Sequence, residues 1–235
     1  MKPAAAGDTV VLDASESRHV LLVLRLRPGQ RIEGVDGAGW EYGLELTEPV
    51  AGKARARVLE KREASPRWLL DVTVAMGIVK GARMDWAVEK AAELGARRFI
   101  PFAAERTVAA PDPAGSRTAR WKRMSAAALK QSLGPYLMQV SSPLDFDALV
   151  EIASHSGLAF LADQEASRMD SLPESVEEGT SCLLVVGPEG GLSDSERRLL
   201  LDAGATAFSL GPGRLRSETA VVAALAALWG ATRAG

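Results

Sequence analysis

Two hydrophobic rhythms divide this chain. In the first, Trp40, Tyr42, Leu44 and Leu46 alternate with Glu41, Gly43 and Glu45, the period-2 pattern of a strand with one buried face. Asp36-Gly37-Ala38-Gly39 just before it is turn chemistry, because glycine tolerates positive φ. Lys53, Arg55 and Arg57 alternate with Ala54, Ala56 and Val58, which predicts a second strand presenting a basic face. A short helical spacing from Ser15 to Leu24 ends before Arg27-Pro28-Gly29. Together these predict a small β-rich module over residues 1–65, with its boundary near Ala64-Ser65-Pro66-Arg67.

From Trp68 onward strands and helices alternate. Val72, Val74, Met76 and Ile78 mark a strand, and Met84, Ala87, Val88, Ala91 and Leu94 recur at helical spacing before a Gly95 stop. Phe99–Phe102 reads as a strand and residues 117–132 as a helix. Leu158–Leu161 and Leu183–Val186 are apolar without alternation, as buried parallel strands are. Ser193 and Glu196 form a capping box opening a helix that stops at Gly204. Ala207–Leu210 is the last predicted strand. Ser217 to about Trp229 is the last helix, apolar nearly all round and so expected to be buried on more than one side. Residues 66–235 therefore read as an α/β domain with a mostly parallel sheet.

Composition narrows the class. Hydrophobic residues make up 47% and charged residues 25%, a globular balance that excludes wholesale disorder. The longest uncharged apolar run, Ala220–Trp229, is half of what a membrane crossing needs, and the first residues lack the apolar core of a signal peptide. One cysteine and two histidines provide neither an internal disulfide nor a zinc cluster. A cytoplasmic protein without a metal is the expectation. The net charge of −2 conceals a split: residues 1–130 carry 22 Lys and Arg against 16 Asp and Glu, whereas residues 131–235 carry 6 against 14. A polyanion partner for the basic half is one reading, and a set of solvated faces is the other.

Candidate chemistry lies in two glycine-rich loops after the last two predicted strands. They are Gly187-Pro188-Glu189-Gly190-Gly191-Leu192 and Leu210-Gly211-Pro212-Gly213-Arg214-Leu215-Arg216-Ser217-Glu218-Thr219-Ala220. In a parallel α/β sheet ligands bind at the carboxyl ends of strands, where both loops lie, and glycine lets backbone approach a ligand closely. Neither a P-loop, nor a dinucleotide fingerprint, nor a nucleophile elbow occurs. Cys182, heading an apolar strand, reads as a buried small hydrophobe, and His155 as a solvated loop residue.

These loops resemble the signature of the RsmE-type 16S rRNA (uridine-N3)-methyltransferases of the SPOUT superfamily. Three further stretches agree in the same order: His19 through Val23-Leu24-Arg25 with Pro28-Gly29, then Asp36-Gly37, and then Lys80-Gly81 through Lys90, Glu93-Leu94-Gly95, Pro101 and Glu105-Arg106-Thr107. The resemblance implies a small PUA-like β-barrel, residues 1–65, that binds RNA. A SPOUT methyltransferase domain, residues 66–235, would follow, with a C-terminal trefoil knot that holds S-adenosylmethionine. It places the cofactor against Leu161 and Ala162, against Gly187, Pro188, Glu189, Gly190 and Gly191, and against Leu210, Gly211, Leu215, Ser217, Thr219 and Ala220. It also implies a homodimer and 16S rRNA, within the small ribosomal subunit, as partner. The residues expected at the RNA are His19, Arg25, Arg55, Arg57, Lys80, Arg83 and Arg106.

Two departures stand out. The segment before the first strand is short and lacks the family's Arg and aromatics, and Gln131-Ser132 runs into Leu133-Gly134-Pro135 where the family carries an Arg. For the chemistry, N3 of uridine bears a proton and is a poor nucleophile at neutral pH, so a proton acceptor and a cation for the developing oxyanion are required. Glu218 and Arg216 are the candidates. Both could instead be structural, Glu218 as a first-turn carboxylate that favours the dipole of the last helix. A sibling enzyme acting on another nucleoside or a ribose hydroxyl, and an idle RNA-binding protein that keeps the knot, are the alternatives.

Overall fold

The computed structural model describes residues 3–65, 69–107, 115–132, 134–166 and 176–232. Pro66, Arg67, Trp68 and Leu133, all named above, lie outside them. The chain divides into two compact units, one of Met1–Ser65 with Leu133–Tyr136 and one of Pro66–Ser132 with Leu137–Gly235.

The first unit is an antiparallel sheet of β1 (Thr9–Val11), β2 (Arg31–Val35), β3 (Trp40–Val50) and β4 (Lys53–Glu63), in the order β1-β4-β3-β2. Alternation does what the pattern requires. Tyr42, Leu44 and Leu46 of β3 meet Ala54, Ala56 and Val58 of β4 in one buried cluster. The β2–β3 turn is built on Asp36, whose Oδ1 accepts from the Ala38 N–H at 2.8 Å, and Gly37 and Gly39 take φ of 70° and 99°. Between β1 and β2, α1 (Ala14–Arg18), capped by Asp13, runs into one π-helical turn, His19–Val23. In the β2–β3 turn Ala38 also makes an isolated antiparallel bridge to Tyr136, so a tetrapeptide distant in sequence belongs to this unit.

The second unit is a six-stranded, wholly parallel sheet in the order β10-β8-β9-β5-β6-β7. Its strands are β5 (Leu70–Gly77), β6 (Arg98–Phe102), β7 (Gln139–Val140), β8 (Leu158–Ala162), β9 (Thr180–Val186) and β10 (Thr206–Phe208). Both faces are covered. Val72, Val74 and Met76 of β5 and Cys182, Leu184 and Val186 of β9 pack with α2 (Ala82–Glu93), α3 (Ser116–Ser132) and α6 (Ser217–Ala231). The intervening residues Ala75, Leu183 and Val185 face α4 (Phe146–His155) and α5 (Asp194–Asp202). This two-sided burial explains why β8 and β9 read as unbroken apolar runs.

Several expectations are revised. The last strand is Thr206–Phe208, not Ala207–Leu210, because Ser209 turns back: its Oγ accepts from the Gly211 N–H at 3.3 Å and donates to the Gly211 carbonyl at 3.2 Å. His155 is exposed, but as the last residue of α4 rather than in a loop. In the isolated chain α6 buries one face, through Val221, Ala224, Leu225 and Leu228, while Thr219, Ala226 and Ala227 are exposed. Among the described residues no helix is long and apolar enough to cross a membrane.

Candidate functional site

Strand order creates the site. From β9 the chain passes through α5 to β10, beyond β8; from β5 it passes through α2 to β6, on the opposite side. The order reverses between β9 and β5, and at such a reversal the loops leaving the carboxyl ends diverge and open a crevice. A cleft of about 690 Å³ lies there, lined by residues 161–165 at the end of β8 and beyond, 186–192 at the end of β9 and beyond, and most of 209–217 after β10, with Arg83, Arg106, Asp194, Arg197 and Ala220 around them.

Local chemistry fixes each loop. The β9 loop turns at Gly191, whose φ is 71° and whose N–H donates to the Pro188 carbonyl at 2.8 Å. Pro188 lies so close to the end of β5 that a Cβ on Gly77 would stand 2.5 Å from its ring, so only glycine fits there. Beyond the turn, α5 starts with the full capping box: Ser193 Oγ accepts from the Glu196 N–H, and Glu196 Oε2 accepts from the Ser193 N–H at 2.9 Å. The β8 loop is held by Asp163. Its N–H donates to the Phe208 carbonyl at 2.9 Å, its Oδ1 accepts from the Glu165 N–H at 2.9 Å, and its Oδ2 accepts from Arg197 Nε of α5. That hydrogen bond, with the aspartate charge behind it, raises the Arg197 pKa.

Of the cofactor residues named from sequence, Leu161, Ala162, Gly187, Pro188, Glu189, Gly190, Gly191, Leu210, Gly211, Leu215, Ser217 and Ala220 line the cleft, whereas Thr219 does not. Arg216 lines it as the residue before the first turn of α6. Glu218 does not; it is buried, 8% exposed, and its Oε2 has no hydrogen-bond partner among the described residues. Arg83 and Arg106, named as RNA contacts, stand on this cleft. Arg83 is ion-paired with Glu189, and Arg106 Nη1 lies 3.3 Å from the carbonyls of both Gly190 and Leu192. Lys80 is exposed after β5 and is not part of the cleft lining. His19, Arg25, Arg55 and Arg57 belong to the first unit. Arg25 has a φ of 54°, in the left-handed region that favours glycine. Arg57 pairs with Glu45 at 2.9 Å and Arg62 with Glu41 at 2.7 Å, so the basic face of β4 is partly neutralised by β3.

Sequence reasoning missed Arg197 and Asp194, for which no motif exists, and the role of Asp163 beyond its place in the loop. Cys182 is 1% exposed and its thiol is pushed up to about 12 by burial, as a packing residue should be. Among the described residues no group of His, Cys, Asp and Glu could hold a metal ion.

The cradle suits a ligand held by backbone. Gly211 takes a φ of 129°, Gly191 one of 71°, and the N–H groups of Gly190, Gly213, Arg214 and Leu215 have no acceptor among the described residues. Comparison with known proteins gives this geometry a context. The profile of the RNA methyltransferase domain matches residues 66–229. The ribosomal RNA small subunit methyltransferase E of Bacillus subtilis is 30% identical over 228 residues, covering 94% of this chain and 89% of that protein. Its counterpart in Mycobacterium bovis is 35% identical over 231 residues, covering 94% and 86%. The crystal structure of the Neisseria gonorrhoeae methyltransferase E, bound to S-adenosylmethionine, superposes with a TM-score of 0.84 at 29% identity, over 97% of this chain and 94% of that one. With matches of this length across both units, the chain belongs to the ribosomal RNA small subunit methyltransferase E family of RNA methyltransferases.

Proposed function

We propose that this chain transfers a methyl group from S-adenosylmethionine to N3 of a uridine in the 16S RNA of the small ribosomal subunit. The observation that carries the reading is the convergence of three loops, after β8, β9 and β10, on one glycine-rich cleft where several backbone N–H groups have no acceptor among the described residues. The residues fit the cofactor. The glycines of the β9 and β10 loops leave room for close backbone approach, and Leu161, Leu192 and Leu215 supply apolar wall. When bound, the cofactor provides an electrophilic methyl on a sulfonium sulfur.

The protein's work is then positioning and charge. Arg216, on the cleft and fixed in place by the start of α6, stands to stabilise negative charge on the uridine oxygens once N3 loses its proton. Glu218 is the carboxylate proposed to take that proton; it is buried in the first turn of α6, off the cleft lining, so the transfer has to run through a bridging water. Its buried Oε2 answers no donor among the described residues, and a buried acceptor without a partner is uncommon unless a role awaits it. The segment from Gly211 to Arg216 must carry the chain from edge strand β10 back across β8 to α6, which packs on β5 and β9. That path supports a trefoil knot at the cofactor site. The four-stranded sheet of the first unit supports a PUA-like module that holds RNA, through His19, Arg25 and Arg55. The exposed small residues of α6 support a homodimer through that helix.

Mass mapping tests the reading. Small ribosomal subunits lacking the modification, incubated with the protein and S-adenosylmethionine, should yield N3-methyluridine at one position after nuclease digestion. Methylation of another nucleoside or of a ribose would favour a sibling activity, and no methyl transfer would favour an idle binding protein.

A further inference from the structure

Arg106 and Glu196 lie on different elements yet converge on the same seven residues, 187–193. Glu196 is 6% exposed, in the first turn of α5. One of its oxygens, Oε2, closes the capping box on Ser193. The other, Oε1, accepts from the backbone N–H of Glu105 at 2.7 Å, across 91 residues of sequence. That bond anchors residues 104–107, a turn closed on itself by Thr107, whose Oγ1 accepts from the Ala104 N–H at 2.8 Å and whose N–H donates to the Ala104 carbonyl at 2.9 Å. From the anchored turn Arg106 reaches back, and Nη1 lies 3.3 Å from the carbonyls of Gly190 and Leu192. Its Cβ would stand 3.1 Å from a Cβ placed on Gly190. The glycine loop is thus gripped at its middle by a guanidinium and at its end by a carboxylate, and both grips run through one turn after β6.

The geometry points to Arg106 and Glu196 as a positioning strap that holds the β9 loop in its ligand-ready shape, with Arg106 acting on the loop rather than on RNA phosphate. Three physical arguments support it. A guanidinium donating to two carbonyls fixes their direction, which orients the peptide groups that wall the cleft. A glycine-rich loop loses the most conformational freedom on ordering, so an unstrapped loop would have to be ordered by the ligand itself, at a cost in affinity. A buried carboxylate accepting two backbone N–H groups is costly to break, so the turn carrying Arg106 is itself rigid. The strap's effect on cofactor affinity rests on the reading under Proposed function; its effect on the loop does not.

The experiment uses the full chain and two variants, Arg106→Ala and Glu196→Gln. Arg106 is exposed, so its alanine variant keeps the fold even if the buried glutamine does not. In the protein without ligand, amide hydrogen exchange at residues 190–192, including the Gly191 N–H bonded to Pro188, should accelerate in Arg106→Ala. The Kd for S-adenosylmethionine should rise about tenfold, the size expected for losing charge-assisted hydrogen bonds. Affinity for ribosomal RNA and its salt dependence should stay as in the wild type, and Arg106→Lys should recover part of the cofactor affinity. Where Glu196→Gln folds, it should move exchange and cofactor affinity the same way, and the double variant should lose less than the two losses added. If Arg106→Ala instead weakened RNA binding and lowered its salt slope by about one, with exchange and cofactor affinity unchanged, Arg106 would be a phosphate contact and the strap overturned. No change in any readout would overturn it too. Should the wild type bind no S-adenosylmethionine, the proposed function would fall while the exchange measurement still decided the strap.

Discussion

Arg216 and Arg106 bring the same charge to the same cleft, and their surroundings give them different work. Arg106 is engaged with two carbonyls, whereas Arg216, at the N-cap position of α6, makes no capping bond with its side chain. Arg216→Ala should therefore lower methyl transfer by about 10²–10³-fold, the cost of removing one oxyanion-stabilising donor, while RNA affinity nearly holds. Single-turnover rates beside filter-binding affinities check this. Cys182 is the opposite kind of residue. Burial raises its pKa to about 12, so the folded chain keeps the thiol protonated where an exposed thiol ionises. Alkylation at pH 8 should fail in the folded protein and proceed in denaturant. The sign for stability follows: the folded-state pKa is raised, so the full contribution holds below about pH 9 and declines toward pH 12, as the unfolded chain alone ionises. Denaturant titrations of wild type and Cys182→Ala should converge over that window. At this scale the sequence was readable where a residue's neighbours in the chain set its role, as for Ser193 and Glu196. It was silent where the partner is remote, as for Arg197 with Asp163 and Arg106 with Gly190.

Elements were legible in proportion to their length and period. β3, β4, α2 and α3 show clear alternation or helical spacing over many residues, and the structure has them within a few positions. β7 is two residues long and carries no period at all; it exists because Arg98 and Phe99 of β6 offer an edge. Helix α4 carries legible signals in its own residues: Asp145 caps it, and Phe146, Leu149, Val150 and Ala153 keep the spacing of one buried face. The basic strand β4 shows what alternation cannot tell. Lys53, Arg55 and Arg57 do share a face, but Glu45 on β3 already answers Arg57. If the strand holds RNA, replacing Arg55 and Arg57 together with alanine should flatten the salt dependence of binding by about one unit rather than two, because only one phosphate contact is free to form. Binding isotherms across a salt series measure it. Cofactor affinity should not move, since the described residues that line the cleft all belong to the second unit.

At the scale of the molecule the decisive feature is the order β10-β8-β9-β5-β6-β7, which sequence pattern does not encode, because strand pairing over tens of residues leaves no local trace. The resemblance carried by the two glycine loops implied where the site lies; strand order explains why a crevice opens there. The same helix that closes the fold, α6, leaves a face of small residues exposed, and sedimentation at micromolar concentration should show a homodimer. Three loops at the carboxyl ends of β8, β9 and β10 are proposed to form one site for S-adenosylmethionine. Calorimetry with wild type and Gly190→Val tests that site. A side chain at Gly190 meets Arg106 at 3.1 Å from the first carbon, in an exposed loop outside the sheet core, so the variant should fold and lose the site. The wild type should bind one cofactor per chain, with binding abolished in a variant whose circular dichroism is native. A wild type that binds nothing, or a folded Gly190→Val variant that binds as tightly as the wild type, would contradict it.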